Sequence, residues 1–367
     1  MLNQKINWLV GFTITLMLTA CGGGGAPSGV IPPPAAGGNG GSGYRTTSVS
    51  KYMRSSIDVK TEYFYEAALS FDEELLVLST KENIRFFNIS KPDQPKAISQ
   101  YPYRGAGDIA VSKDNKTLFF DHGVLDISSL SNIRQTRKIQ NIFSFNYSPK
   151  DNEVITFNPG VIRFINPGSY KNESPYNVFL STVSTKRTIK NVALDTLFEI
   201  SDDKKRAYGT GYDDNVFKVV NITNNQAITE YQKTFEYEIS GIAVSKDQTK
   251  AYIIERYTDE GLRVIDISSH DQNASTLSTL PFEYDARDIW LSPNGTTAYV
   301  SYVLGMFVID ISDDKKPMIK EHIQLEKDDT FSDLIISADG HTGYIRTQGI
   351  RGKKNGDDRI LIIDLPQ

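Results

Sequence analysis

Two stretches decide how this chain is read: GLRVIDIS at residues 261–268 and GMFVIDIS at residues 305–312. Each is a run of β-branched and bulky apolar residues, the composition of a buried strand, closed by an Asp and a Ser that favour a tight turn. The same grammar recurs outward from them. A serine closes a preceding apolar run at Ser70, Ser112, Ser148, Ser201, Ser245, Ser292 and Ser337. Two residues later stand Asp72, Asp114, Lys150, Asp203, Asp247, Asn294 and Asp339, so only the third copy lacks an Asx side chain able to accept a backbone N–H and set the turn. Seven residues after each serine lies a strand former: Val77, Phe119, Ile155, Tyr208, Tyr252, Tyr299 and Tyr344. A further apolar strand then ends in Asn88, Asp126, Asn166, Asn221, Asp266, Asp310 or Asp364.

The repeating body covers residues 45–367 and divides into seven units of roughly 46 residues, which suits a four-stranded propeller blade better than a helical repeat. Alternating Val, Ile, Tyr and Phe, with no capped run of helical period, indicate an all-β fold. The segments GLRVIDISS at 261–269, GMFVIDISDDKKP at 305–317 and RILIIDL at 359–365 resemble the LVIVD-repeat family. SKDQTKAYII at 245–254 is similar to the related surface-layer type of seven-bladed β-propeller. The resemblance implies antiparallel blades in which the run before each serine is the innermost strand A. The Tyr-bearing segment is then B, the IDIS segment C, and D follows. It implies no single activity, since propellers host binding, scaffolding and catalysis alike. After Asp364 only Leu365, Pro366 and Gln367 remain, so the seventh unit lacks its own strand D. The stretch at 46–60, which precedes the first strand A, is expected to pair with the last blade and close the ring, removing open edges.

The front of the chain reads as an address. Residues 1–20 carry Lys5 and then an apolar run too short for a bilayer span, the pattern of a signal peptide. Leu18-Thr19-Ala20-Cys21 resembles the bacterial lipobox, which implies that Cys21, the only cysteine in the chain, is converted to a diacylglyceryl thioether. The acyl chains implied by that resemblance, palmitate among them, suffice for stable attachment to a membrane. Residues 21–44 form the lipidated end and its tether: positions 22–43 contain ten Gly, four Pro and no charge, and cannot bury enough apolar surface to order themselves. Gly22 stands where an Asp would favour inner-membrane retention in that family, so the expected location is the bacterial cell envelope, on the outer membrane.

With 40 Lys plus Arg against 45 Asp plus Glu, the net charge of −5 opposes the basic field that nucleic-acid binding needs. Function is sought on the face opposite the uniform serine turns, where strands A begin and the loops differ. Four residues before each serine, at the channel mouth, stand Glu66, Asp108, Ser144, Leu197, Gly241, Asp288 and Asp333. Carboxylates gathered there repel one another unless a cation, Arg104 and Arg287, or raised pKa values relieve them. Ca²⁺ suits oxygen ligands, with Asp108, Asp288 and Asp333 as candidate ligands; capping of backbone N–H groups or pairing with the arginines is the structural alternative. Tyr103, Tyr237 and Tyr284 lie beside these carboxylates in YPYRGAGD, FEYE and FEYDARD, where they either stack on a sugar or peptide or pack against the next blade. Two insertions break the spacing, one between Asn166 and Ser201 and one at 346–359. The second is basic, with Arg346, Arg351, Lys353, Lys354 and Arg359, and either meets anionic polysaccharide or lipid headgroups or is a solvated loop.

The chain has no recognised local signature of nucleophilic, metallopeptidase or phosphoryl chemistry, and its four histidines fall at dissimilar positions. Two functional readings stand. The first is a lipid-anchored propeller that binds or scaffolds a protein or polysaccharide partner, with no catalytic residue. The alternative is a Ca²⁺-dependent, lactonase-like hydrolase with its site at the channel mouth.

Overall fold

The computed structural model describes residues 44–59, 64–105, 107–140, 144–148, 153–165, 178–179, 185–211, 214–256, 261–268, 276–349 and 358–367. Seven antiparallel sheets follow one another along the chain. Blade 7 begins before blade 1: β1 (Arg45–Ser48) and β2 (Met53–Asp58) precede the first inner strand. Blade 1 is β3 (Phe64–Leu69), β4 (Leu75–Thr80), β5 (Asn83–Asn88) and β6 (Lys96–Pro102). Blade 2 is β7 (Ile109–Val111), β8 (Thr117–Phe120), β9 (Gly123–Asp126) and β10 (Arg134–Gln140). Blade 3 is β11 (Ser144–Ser148), β12 (Glu153–Asn158), β13 (Val161–Ile165) and β15 (Thr185–Lys190), with β14 (Val178–Phe179) between the last two in sequence. Blade 4 is β16 (Thr196–Ile200), β17 (Arg206–Thr210), β18 (Val216–Asn221) and β19 (Ile228–Thr234). Blade 5 is β20 (Ile239–Val244), β21 (Lys250–Glu255), β22 (Leu262–Asp266) and β23 (Thr276–Leu280). Blade 6 is β24 (Ala286–Leu291), β25 (Thr297–Tyr302), β26 (Gly305–Asp310) and β27 (Met318–Gln324). Blade 7 is completed by β28 (Asp329–Ile336), β29 (Thr342–Gly349) and β30 (Arg359–Asp364). The all-β, seven-bladed expectation is therefore met.

The core lies between blades. Each hydrophobic cluster joins two neighbours; Phe64, Leu76, Tyr344, Ile360 and Ile362 pack together with Ile57 and Val59 across the seam between blades 7 and 1. That seam is where the ring closes, because β2 pairs antiparallel with β30, Met53 facing Ile363 and Asp58 facing Arg359. The expected N-terminal closure is thus present, and β2 is a D strand in detail. Every D strand skips one residue against its C partner: Ile98, Thr136, Lys186, Glu230, Leu277 and Lys320 in blades 1–6. In β2 the skipped residue is Arg54. Its guanidinium lies 3.7 Å from Asp364, as Lys320 lies 3.1 Å from Asp310 at the same place in blade 6.

Two blades have a fifth strand. β1 lies parallel on the outer edge of β27, Arg45 opposite Glu321 and Ser48 opposite Gln324, and β14 lies parallel on β10. The first insertion therefore sends a strand back to the rim of blade 2. The second is shorter than its composition suggests, since β29 runs to Gly349 and β30 starts at Arg359. Arg346 and Arg359 are strand residues.

The serine turns explain the repeat. In six blades the Ser Oγ donates to the Asx Oδ1 at 2.5–2.7 Å. That oxygen accepts the N–H two residues on, at 2.9–3.2 Å. The serine oxygen in turn accepts the N–H five residues beyond it, at 2.8–3.0 Å. The residue three beyond each serine is left-handed, at Glu73, Asn115, Lys204, Gln248, Gly295 and Gly340. Where it has a side chain it reaches the preceding blade: Glu73 accepts from the Ala338 N–H, Asn115 from the Phe71 N–H, and Gln248 from the Tyr208 hydroxyl, while Lys204 meets Glu153. The tyrosines seven beyond the serine continue the seam: Tyr252 donates to Asp314 and Tyr299 to the Pro366 carbonyl.

Two substitutions test this architecture. Ile57→Ala, in β2, is expected to lower unfolding free energy by about 2–5 kcal/mol, as for a core cavity, in one cooperative urea transition. Ser292→Ala strips the buried Thr297 N–H of its acceptor and is expected to cost about 1–3 kcal/mol. Equal urea midpoints for Ile57→Ala and wild type would contradict β2 as the closing strand.

Candidate functional site

At the mouth opposite the serine turns, strand A is kinked in a repeated way. A bulge falls immediately before the fourth residue from the serine in blades 1, 5, 6 and 7, the skipped residues being Tyr65, Ser240, Arg287 and Ser332. In blade 4 the skipped residue is Phe198. A bulge bends the strand and re-aims the side chain after it, so Glu66, Asp288 and Asp333 are placed by the same device.

Three blades combine their charges. Asp333 lies cross-strand from Arg346 in blade 7, and the Arg346 guanidinium crosses to blade 1. There it donates to the Tyr65 carbonyl, sits 3.8 Å from the Glu66 carboxylate and lies 5.0 Å over the Phe64 ring. Glu66, Asp333 and Arg346 are all deeply buried, at 9%, 2% and 5% exposure. Burial pushes the Glu66 carboxyl well above the ordinary range; the charge of Asp333 adds to this, Arg346 opposes it, and Asp108 of blade 2 adds again. Among the described residues, Asp333, Glu66 and Asp108 thus come from adjacent blades to the neighbourhood of the Arg346 guanidinium. The Asp333 Oδ1 accepts the Leu334 N–H at 2.7 Å, and Asp288 likewise accepts the Ile289 N–H at 2.7 Å. Asp288 stands apart from the three, against Gly241 of blade 5, where a Cβ would meet its Oδ1 at 3.0 Å.

Other buried acid–arginine pairs occur nearby on their own blades. Glu255, 1% exposed, meets Arg263 at 2.5 Å in blade 5. Asp329 pairs with Arg359 in blade 7, where burial raises its carboxyl against the pull of that guanidinium.

The cation of the cluster is Arg346, not the arginines chosen from the sequence. Arg104 is an exposed partner of Glu82 at 2.7 Å, and Arg287 is an exposed bulge residue. Arg346 lies nine residues after Ser337, the register that faces the fourth residue before the serine. Asp121 holds that position in blade 2, partly buried and raised by its desolvation, in contact with His122 at 2.8 Å and accepting the Gly107 N–H at 3.1 Å. The tyrosines divide. Tyr103 packs edge-on against Phe120 at 4.8 Å and Tyr284 stacks on Tyr302 at 4.6 Å, both within the blades, whereas Tyr237 is exposed and its N–H donates to Glu255. Among the described residues no group of three or more His, Cys, Asp or Glu is placed to hold a metal ion. Cys21, Arg351, Lys353 and Lys354 lie outside the described residues.

A scan against protein-family models finds no match, and no curated protein matches the chain. The family resemblance therefore rests on the repeated segments themselves.

Removing the guanidinium leaves buried carboxylates uncompensated, so Arg346→Ala is expected to destabilise by about 3–5 kcal/mol. A carboxyl raised on folding binds its proton more tightly in the native state; its stabilisation is full below its unfolded pKa and lost as pH rises through the folded value. Stability curves from pH 4 upward are accordingly expected to fall less steeply in Glu66→Gln than in wild type. Parallel curves would refute the assignment.

Proposed function

We propose that this chain is a lipid-anchored propeller of the bacterial cell envelope, of the LVIVD-repeat kind, that binds or scaffolds another macromolecule through its channel-mouth face. The carrying observation is the contrast between the two faces. On the turn face the repeated polar side chains are engaged with one another or with the next blade. The mouth differs from blade to blade and gathers carboxyl groups from blades 7, 1 and 2, Asp333 and Glu66 buried and Asp108 partly so. Carboxyl groups gathered on one face suit a partner presenting ammonium groups or hydroxyl donors, on a basic protein segment or a polysaccharide.

The anchor reading is supported by Cys21 at the end of an apolar run and by the uncharged tether behind it. The tether leads into β1 on the outer rim, so the wheel can hang from its edge with the mouth unobstructed. The partner class expected here is a protein or polysaccharide.

Two measurements test the proposal. Metabolic labelling with a palmitate analogue is expected to mark the wild-type chain and not Cys21→Ser, which should leave the membrane fraction; equal labelling of both would sink the anchor. Capture from envelope extracts is expected to yield a partner with the wild type that is lost, at unchanged folding, in an Asp108→Asn variant and unaffected by a chelator. Partner retention by Asp108→Asn counts against the mouth, and chelator sensitivity favours the Ca²⁺ alternative.

A further inference from the structure

The tether enters the body through β1, and β1 covers a histidine. His322, on β27, is 3% exposed. Its Nδ1 lies 3.3 Å from the Thr46 hydroxyl of β1 and its Nε2 lies 2.6 Å from the Tyr302 hydroxyl of β25, so both ring nitrogens have partners. The groups that face the ring are aromatic from each packed element: Tyr44 beside β1 at 6.2 Å, Tyr284 before β24 at 5.4 Å, Tyr302 at 5.3 Å and Phe307 of β26 at 5.1 Å. Its sequence neighbours Glu321 and Lys320 make their ion pairs with Lys51 and Asp310. Among the described residues the facing side chains are thus phenols, a phenyl ring and a hydroxyl, with no carboxylate in contact to compensate an imidazolium. The covering strand is weak: four residues, one of them buried, in parallel pairing.

We infer that β1 is an acid-released latch, which leaves the edge of blade 6 when His322 takes up a proton. Burial holds His322 down at about 4 while it is covered; uncovered, it returns toward its ordinary value of 6.5. A folded-state pKa below the open-state value means that the latched state is fully favoured above 6.5 and loses stability as pH falls toward 4. The corresponding change in the opening constant is about 30-fold between pH 7.5 and 5. Blade 7 keeps β2 throughout, so release opens an edge without opening the ring.

The test is hydrogen exchange on the full chain at pH 7.5 and 5, corrected for the intrinsic exchange rate. The expected result is an opening constant for residues 45–48 that rises about 30-fold in acid, with β26 unchanged, and a His322→Phe variant that shows no such rise. Equal protection of β1 at the two pH values overturns the inference, as does an acid response that persists in His322→Phe. Should that variant not fold, the wild type decides by NMR: the His322 ring must titrate at the pH where the β1 amides lose protection, and separate midpoints overturn the latch.

Discussion

The pairing of β2 with β30 is the contact on which the wheel depends. A propeller blade buries its faces only against neighbours, so an open seventh blade would expose both the seam to blade 1 and an unpaired strand edge. β2 removes both at once: it supplies the ladder for β30 and places Ile57 and Val59 in the cluster with Phe64 and Tyr344. Because the partners lie some three hundred residues apart in sequence, the ladder closes a loop that spans nearly the whole body. Apart from β1 on β27, the other strand ladders join segments much nearer in sequence.

The uniformity of the turn face follows from the same need. Each Ser–Asx pair satisfies the backbone of its own hairpin, and the left-handed residue three places on then points its side chain at the preceding blade. A non-glycine residue in that conformation is uncommon. Glu73, Asn115 and Gln248 offset the strain with an inter-blade hydrogen bond, while blades 6 and 7 use Gly295 and Gly340 and leave the joining to Tyr252 and Tyr299.

Much of this was legible before any coordinates. Serine spacing identified the blades, and the missing seventh D strand identified β2, because both are properties of local apolar runs and their count. What was not legible depends on pairing. The skipped residues Tyr65 and Arg54 are defined only against a partner strand, and β1 reads RTTS, with no apolar alternation to mark it. Arg346 was hidden by composition: beside Arg351, Lys353 and Lys354 it looked like the start of a basic loop, yet β29 carries it into the seam. Arg104 turns to Glu82 and Arg287 is the exposed residue skipped at the blade 6 bulge, so nearness in sequence to Asp108 and Asp288 does not set the direction of either side chain. The acidic positions line up in the sequence because they hold a constant register to the serines.

A wheel of near-identical blades has a specificity problem that apolar packing alone does not solve. Any C strand presents a similar edge to an N-terminal strand, and several seams are lined by the same Val, Ile and Phe. The seam between blades 7 and 1 differs from the others in its polar contacts. Arg346 reaches the Tyr65 carbonyl and the Glu66 carboxylate, and Arg54 of β2 meets both Asp93 of blade 1 and Asp364 of blade 7. Such contacts cost much when their partners are wrong, because a buried charge left alone is expensive. The exposed Arg54 pairs carry little energy, so the discrimination falls on the buried Arg346. The Arg346 contacts at the mouth therefore serve closure: they mark the seam at which the N-terminal strand β2 completes blade 7 and blade 1 follows it.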